Sequence, residues 1–327
     1  MKSIDVVIPT YRPGKEFTEL LRRIDVQSVK ADHLILINTG RDAWEKAEFD
    51  HTLVQNGTLP CGTKVIIEHI QPEEFDHGGS RQRAASRSEA DILLFMTQDA
   101  LPKNERLLQH MAEAFLVNGE KTAAVYARQL PREDCAYLET YTRKFNYGDR
   151  SFVKSEKDLP RLGIKTFFCS NVCAAYDRGI FEKLGGFEEP TIFNEDMIFA
   201  AKLIFAGYQI AYAAEAEVIH SHNYSGLQQF QRNFDLAVSQ AEHPEIFEKV
   251  SSEKEGKKLV KETALHLLKV RRPFTILTLV WMSGWKYLGY FVGKRYRRLP
   301  KSLVLKCTMS PHAKFWKLYF EKTKKSV

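Results

Sequence analysis

"DILLFMTQDALP", residues 91–102, runs four apolar side chains (Ile92 to Phe95) straight into Gln98, Asp99 and a proline. A short, continuous apolar run between polar flanks reads as a strand buried on both faces. The carboxylate then falls just beyond the carboxyl end of that strand. Outward from it the pattern repeats. IDVVI at 4–8, HLILIN at 33–38, KVIIEHI at 64–70 and AAVYA at 123–127 alternate with helical spacing at 16–27, 79–90 and 104–118. Short apolar strands alternating with helices predict a parallel, doubly wound α/β sheet. Ligands of such sheets bind beyond the carboxyl ends of the strands. Pro9-Thr10-Tyr11, Asn38-Thr39-Gly40 and Gln98-Asp99-Ala100 all fall there.

Residues 131–165 predict a long polar connection with a helix near 135–146. TFFCSNVCAAY (166–176) is strand-like, and FEKLGGFEE (181–189) is a helix closed by Gly185-Gly186. In FNEDMIFAAKLIFAGY (193–208), Asn194 is placed to cap a helix that stops at Gly207. QIAYAAEAEVIHSHNYS (209–225) is a strand ending on two histidines, and beyond Gly226 the pattern is helical. The expected division is a body at 1–226 and a helical region at 227–327.

The net charge of +7 hides an asymmetry. From Lys254 onward 19 Lys/Arg face 3 Asp/Glu, whereas residues 1–253 carry 29 against 38. An acidic body excludes a general nucleic-acid binder, whose basic charge lies on the folded face. A basic tail on such a body fits contact with something anionic. The five cysteines form no CxxC pair, and MKSIDVVIPTY reads as strand from its first residues, without a leader pattern. A reduced, cytosolic chain is the expectation.

Four groups of residues carry possible chemistry. Gly78 and Gly79 precede a polar helix, where backbone N–H groups can approach an oxyanion and Arg81 and Arg83 can bind a diphosphate. The same stretch also reads as a glycine turn with solvated arginines, and His77 as a capping or packing residue. Asp99 sits where a carboxylate can hold a divalent cation, or where Asp-Ala-Leu-Pro simply turns. Glu195-Asp196 opens a helix whose dipole favours ionised carboxylates; the pair serves stability alone, or Asp196 is a general base. His220 and His222 end a strand at alternate positions and point to one side, either as structural residues or with one of them on a metal.

Taken in order, these pieces resemble inverting family 2 glycosyltransferases of the GT-A fold, and among them bacterial rhamnosyltransferases that use a dTDP-sugar. The residues that carry the resemblance are VVIPTYRPG (6–14), FDHGGSRQRAA (75–85), TQDALP (97–102), FFCSNVCAAYDR (167–178), GGFEEPTIFNEDMIFAAKLIFAGY (185–208), VIHSHNYS (218–225) and KYLGYFVGKRYRRLP (286–300). The ordered set is specific; no single member is. It implies transfer of L-rhamnose from dTDP-L-rhamnose, with inversion, to a saccharide carried on a polyprenyl diphosphate in cell-surface polysaccharide synthesis.

The resemblance also implies residue roles. Pro9, Thr10, Tyr11, Arg12, Asn38 and Gln98 would line the donor pocket, with His77, Gly79 and Arg81 near the base and diphosphate. Asp99 would hold Mg2+ or Mn2+, and His220 or His222 would complete the ion's protein ligands. Asp196, beside Glu195, would be the general base, and Ser170 and Asn171 would flank the acceptor. Two departures stand out. The family often has an Asp-x-Asp pair where this chain has Gln98-Asp99-Ala100, which leaves the metal requirement open. Many relatives also carry aspartates where Asn38-Thr39-Gly40 stands, which leaves recognition of the base open. A UDP- or GDP-sugar donor, a sugar nucleotidyltransferase and an inactive membrane-docked module remain as other readings. The nucleotidyltransferase wants a Gly-rich basic loop after the first strand, where Pro9-Thr10-Tyr11 stands instead.

PFTILTLVWMSGWKYLGYFVG (273–293) is apolar but interrupted by Lys286. Trp281, Trp285, Tyr287 and Tyr290 favour an interface, and Arg271, Arg272, Lys294 and Arg295 flank it. A helix lying on an anionic membrane is expected over one that spans it, on the inner face of the plasma membrane. Core-packing helices with solvated lysines are the alternative.

Overall fold

A computed structural model describes residues 2–250 and 252–325. Among these, nine strands form one sheet: β1 (Ile4–Thr10), β2 (His33–Thr39), β3 (Lys64–Ile70), β4 (Ile92–Met96), β5 (Leu101–Pro102), β6 (Thr122–Leu130), β7 (Phe152–Lys154), β8 (Cys173–Asp177) and β9 (Gln209–Ile219). Their order is β3-β2-β1-β4-β8-β6-β9-β5, with β7 also paired to β9. Alternate side chains enter the two cores. Leu94 packs with Phe17, Leu20 and Leu34 on one face, while Leu93 and Phe95 pack with Ile35 and Tyr176 on the other.

The β3-β2-β1-β4 half is parallel, as expected. The rest corrects the expectation of a wholly parallel sheet. β8 enters antiparallel between β4 and β6, and β5 and β7 run antiparallel to β9. Cys173-Ala174-Ala175-Tyr176 is buried on both faces, so its apolar run carries no mark of direction. Only the long connection before it decides that the chain returns reversed. The strand expected over 166–176 shrinks accordingly to β8, preceded by a 3-10 turn at Gly163–Phe167.

The reversal positions the site. Met96 pairs with Cys173, so the carboxyl end of β4 meets the amino end of β8. β6 and β9 run parallel to Leu130 and Ile219, and two-residue β5 folds back on Ile219. Asp99, Gln129, Ser170, Asn171 and His220 therefore emerge at one end of the sheet.

Beyond the sheet, the helix Gly226–Glu242 packs against Thr275–Gly293. Their backbones nearly touch: a Cβ on Gly289 or Gly293 would collide with the carbonyl oxygens of Phe230 or Phe234. Phe234, Tyr296 and Trp316 form a third core that includes Ile192 from the body. Among the described residues no helix is long and apolar enough to cross a membrane.

Candidate active site

Asp99, His220 and His222 converge, their ligand atoms all within 4.8 Å of one another. The Asp99 carboxylate lies 3.6 Å from His220 Nε2 and 3.2 Å from His222 Nε2. β9 ends at Ile219, so both histidines stand just past the strand, where they turn together onto one carboxylate. Each imidazole is held below its ordinary pKa, first by burial, and is neutral near pH 7 as a ligand must be.

The tautomer of His220 follows from its neighbours. The Arg143 guanidinium can only donate, and it donates to Gln129 Oε1. That fixes the orientation of the Gln129 amide, whose Nε2 donates to Ser170 Oγ at 3.2 Å. His220 Nδ1 lies 3.1 Å from the same Oε1, so Nδ1 carries the proton and Nε2 presents its lone pair toward Asp99. An orienting acceptor behind a ligating histidine is a recurring feature of metal sites. One carboxylate and two imidazoles fit a divalent cation, and they suit Mn2+ better than Mg2+, which prefers oxygen.

A second acidic corner sits at the start of the helix Glu195–Phe205. Asn194 was expected to cap this helix. Instead it adopts a left-handed φ of 64°, makes no side-chain cap, and donates to the Leu236 carbonyl. Asn tolerates that conformation, and the bend aims the two following carboxylates inward. Glu195 is buried and pairs with Arg81 at 3.1 Å. Burial alone would raise its pKa, but Arg81, His77 and Asn171 outweigh that and hold it low. Asp196 accepts from the backbone N–H groups of Asn171 (3.1 Å) and Met197 (2.7 Å). Burial, and then the charge of Glu195, push its pKa up to about 7. Asn171 links the pair: its Nδ2 donates to Glu195 at 3.2 Å while its Oδ1 accepts from Tyr176.

Several of the residues expected in the donor pocket are hydrogen-bonded within the strand-end loops. The amide of Gln98 is committed at both ends to the Tyr11 backbone, so it ties the loop after β4 to the loop after β1. Asn38 joins Thr10, the Gly40 carbonyl and His69. Tyr11 is half exposed, with the Arg12 guanidinium 5.1 Å from its ring centroid, and these two are open to a ligand. Pro9 is partly exposed beside them.

The expectation for the glycine turn is corrected at Gly79, whose N–H is bound by the Asp76 cap at 2.6 Å; at Gly78 a Cβ would collide with the Glu188 carbonyl oxygen, so this glycine is needed for close packing. The helix His77–Ala85 instead carries Arg81 to Glu195. His77 stands near the same pair between Phe75 and Phe193, its pKa lowered by burial to about 4.

Sequence reasoning missed Gln129, Arg143 and Arg232. Arg232, on the 226–242 helix, lies over Phe193 and Tyr224 at 4.7 and 5.9 Å, and Tyr224 stacks on His222. The charge of Arg232 acts on His222, and so a cation faces the histidine corner. The one sequence signal was an arginine within a polar run just after the two histidines.

The profile of glycosyl transferase family 2 matches residues 5–185. The chain is 41% identical over 305 residues to the O-antigen chain rhamnosyltransferase WbaN of Salmonella anatum, covering 92% of each chain. It is 40% identical over 304 residues to the O-antigen chain rhamnosyltransferase RfbN of Salmonella typhimurium, covering 91% of this chain and 92% of that one. In fold it is similar to the mannosyltransferase PcManGT from Pyrobaculum calidifontis, solved with GDP-Man and Mn2+: TM-score 0.53, 15% identity, 95% of this chain and 86% of that chain. S. aureus TarS 1-349 is similar at TM-score 0.50 and 14% identity, over 90% and 91% of the two chains.

Proposed function

Because the chain belongs to glycosyl transferase family 2 and is a glycosyltransferase of GT-A-like α/β fold, we propose that it transfers L-rhamnose from dTDP-L-rhamnose, with inversion, to a lipid-linked saccharide in O-antigen synthesis. The observation that carries the sugar is the 41% identity to WbaN across 92% of both chains. The geometry supports the reaction type. Asp196 is a partly buried carboxylate whose raised pKa suits a base working near neutral pH. It accepts the proton of the acceptor hydroxyl as that oxygen attacks the anomeric carbon, and the bond from that carbon to the dTDP oxygen breaks on the opposite side. Glu195, ion-paired to Arg81 and held low in pKa, does not compete for the proton. A divalent cation held by Asp99, His220 and His222 would stabilise the departing diphosphate. His222 thus stands in for the carboxylate missing from Gln98-Asp99-Ala100, and Arg232 adds charge toward the diphosphate.

The domain division, a body to 226 and a helical region beyond, belongs to this reading, as does peripheral attachment at the inner face of the plasma membrane. Phe274, Leu277, Trp281, Leu288 and Phe291 recur at helical spacing and are exposed, an apolar stripe flanked by Arg271, Arg272, Lys294 and Arg295. Binding to anionic vesicles that weakens with added salt supports attachment; indifference to vesicles at low salt removes it.

Nucleotide release from dTDP-, UDP- and GDP-sugars, with Mn2+ and with EDTA, tests the donor. Release from dTDP-rhamnose, abolished by EDTA, is expected. Equal turnover of a UDP- or GDP-sugar refutes the dTDP assignment.

A further inference from the structure

Asp99 and the two histidines come from different segments, and a further segment touches both. Gln98 and Asp99 are the central residues of a turn closed by the Ala100 N–H on the Thr97 carbonyl at 3.1 Å. That turn makes no use of the backbone carbonyl of Asp99, which accepts from Arg132 Nη2 at 2.9 Å. Arg132 lies just past the end of β6, and its backbone N–H donates to Ser221 Oγ at 3.0 Å, between the two histidines. The same segment is stitched on at two further points. Asn223 Oδ1 accepts from the Ala136 N–H at 2.8 Å, and Asn223 Nδ2 donates to the Asp134 carbonyl at 2.9 Å. The guanidinium is itself oriented, because both terminal nitrogens donate to the Glu16 carboxylate, Nη2 to Oε2 at 2.9 Å. A planar fork suits this set of bonds, whereas an ammonium offers no fixed plane.

Charge alone speaks against an arginine here. Its positive charge is felt at both imidazoles, whose pKa values are held down first by burial and then by cations that include Arg132. A fixed cation beside a cation site repels the incoming ion. Nor is the ion pair itself a reason, since the Glu16 side chain is 54% exposed and pairs of that kind contribute little to stability. What the guanidinium offers is geometry. We propose that Arg132 is a positioning residue that clamps the Asp99 turn to the histidine segment, and so fixes the spacing of the three ligand atoms before an ion arrives. This rests on the reading of Asp99, His220 and His222 as cation ligands, and adds the residue that holds them together. Gln129 orients one imidazole; Arg132 sets the distance between segments.

The test titrates Mn2+ calorimetrically into the full chain without nucleotide. Arg132→Met should weaken Mn2+ binding about tenfold, the size typical of a lost outer-shell partner. The sign decides, because loss of a positive charge alone would strengthen binding of a dication. Arg132→Lys keeps the charge and loses the fork, so it should restore little of the affinity. Ser221→Ala, on the other arm of the clamp, should weaken Mn2+ by a smaller factor. Co2+ in place of Mn2+ reports ligand geometry through its visible absorption, and the bands should shift in Arg132→Met. A residue that served stability alone would leave those bands where they are. Melting temperatures in EDTA should stay near the parent's; if that of Arg132→Met falls, the affinities of Arg132→Lys and Ser221→Ala carry the test. Mn2+ affinity unchanged or raised in Arg132→Met, full recovery in Arg132→Lys, or an unaltered Co2+ spectrum overturns the clamp. Absence of Mn2+ binding by the unmodified chain would instead refute the cation reading beneath it.

Discussion

Two aspartates end up at the same end of the sheet and are prepared for opposite tasks. Asp99 follows β4 on a short loop, faces two neutral imidazoles and is partly open. Asp196 stands at a helix start, receives two backbone N–H groups and sits beside the Arg81-paired Glu195, whose charge adds to burial in raising its pKa. The first environment presents lone pairs to something cationic; the second raises the affinity of one oxygen for a proton. Residue type alone does not separate a ligand from a base. The neighbours do.

If that contrast holds, Asp196→Asn should have the largest effect, lowering turnover by about 10² to 10⁴ while donor binding persists, as for loss of a general base. Its effect on stability should have the opposite sign. An acid whose pKa is raised in the folded state costs stability above that pKa, so the variant should melt higher than the parent at pH 8, by a margin that shrinks at pH 5. Near-normal transfer, or a lower melting temperature at pH 8, would break the contrast on this side.

Asp99→Ala tests the other side. It should abolish the Mn2+ dependence of dTDP binding, whereas Asp196→Asn should leave it intact. Calorimetry with and without EDTA separates them, and equal losses would merge two corners that we treat as distinct. Gln129→Leu sharpens the same point from behind the ligand. It removes the acceptor that fixes His220, and Mn2+ affinity should fall by about 10- to 100-fold. Unchanged affinity would mean that the tautomer needs no help. The smallest effect is in pH: at saturating donor, turnover should fall roughly tenfold per unit once pH drops below the pKa of Asp196. A profile flat from pH 8 to pH 5.5 is incompatible with Asp196 as base.

Local pattern made the first half of the fold legible. KVIIEHI was expected over 64–70 and β3 spans Lys64–Ile70. The direction of β8 was not legible, because pairing with both β4 and β6 is a long-range fact that an apolar run does not encode. The ordered motifs brought Asp99, Asp196 and the histidines into view, though sequence alone allowed only one histidine on the ion. Gly78 misled because a small residue needed for packing on Glu188 looks the same as one needed for a ligand, and Gly79 because its N–H already serves the Asp76 cap. Gln129 and Arg143 gave no sign at all. Their importance lies in whose hydrogen atom goes where, and that exists only once β6, β9 and the 137–146 helix are assembled.

The near-contact of backbones at Gly289 and Gly293 has a mechanical meaning. Helices separated by a layer of side chains can slide as rotamers readjust, and at Gly289 and Gly293 these two have no such layer. One of them carries the exposed apolar stripe; the other carries Arg232, above the histidine corner. At these two points the helices are locked backbone to backbone, so the stripe-bearing helix and the helix that carries Arg232 are held in one fixed register.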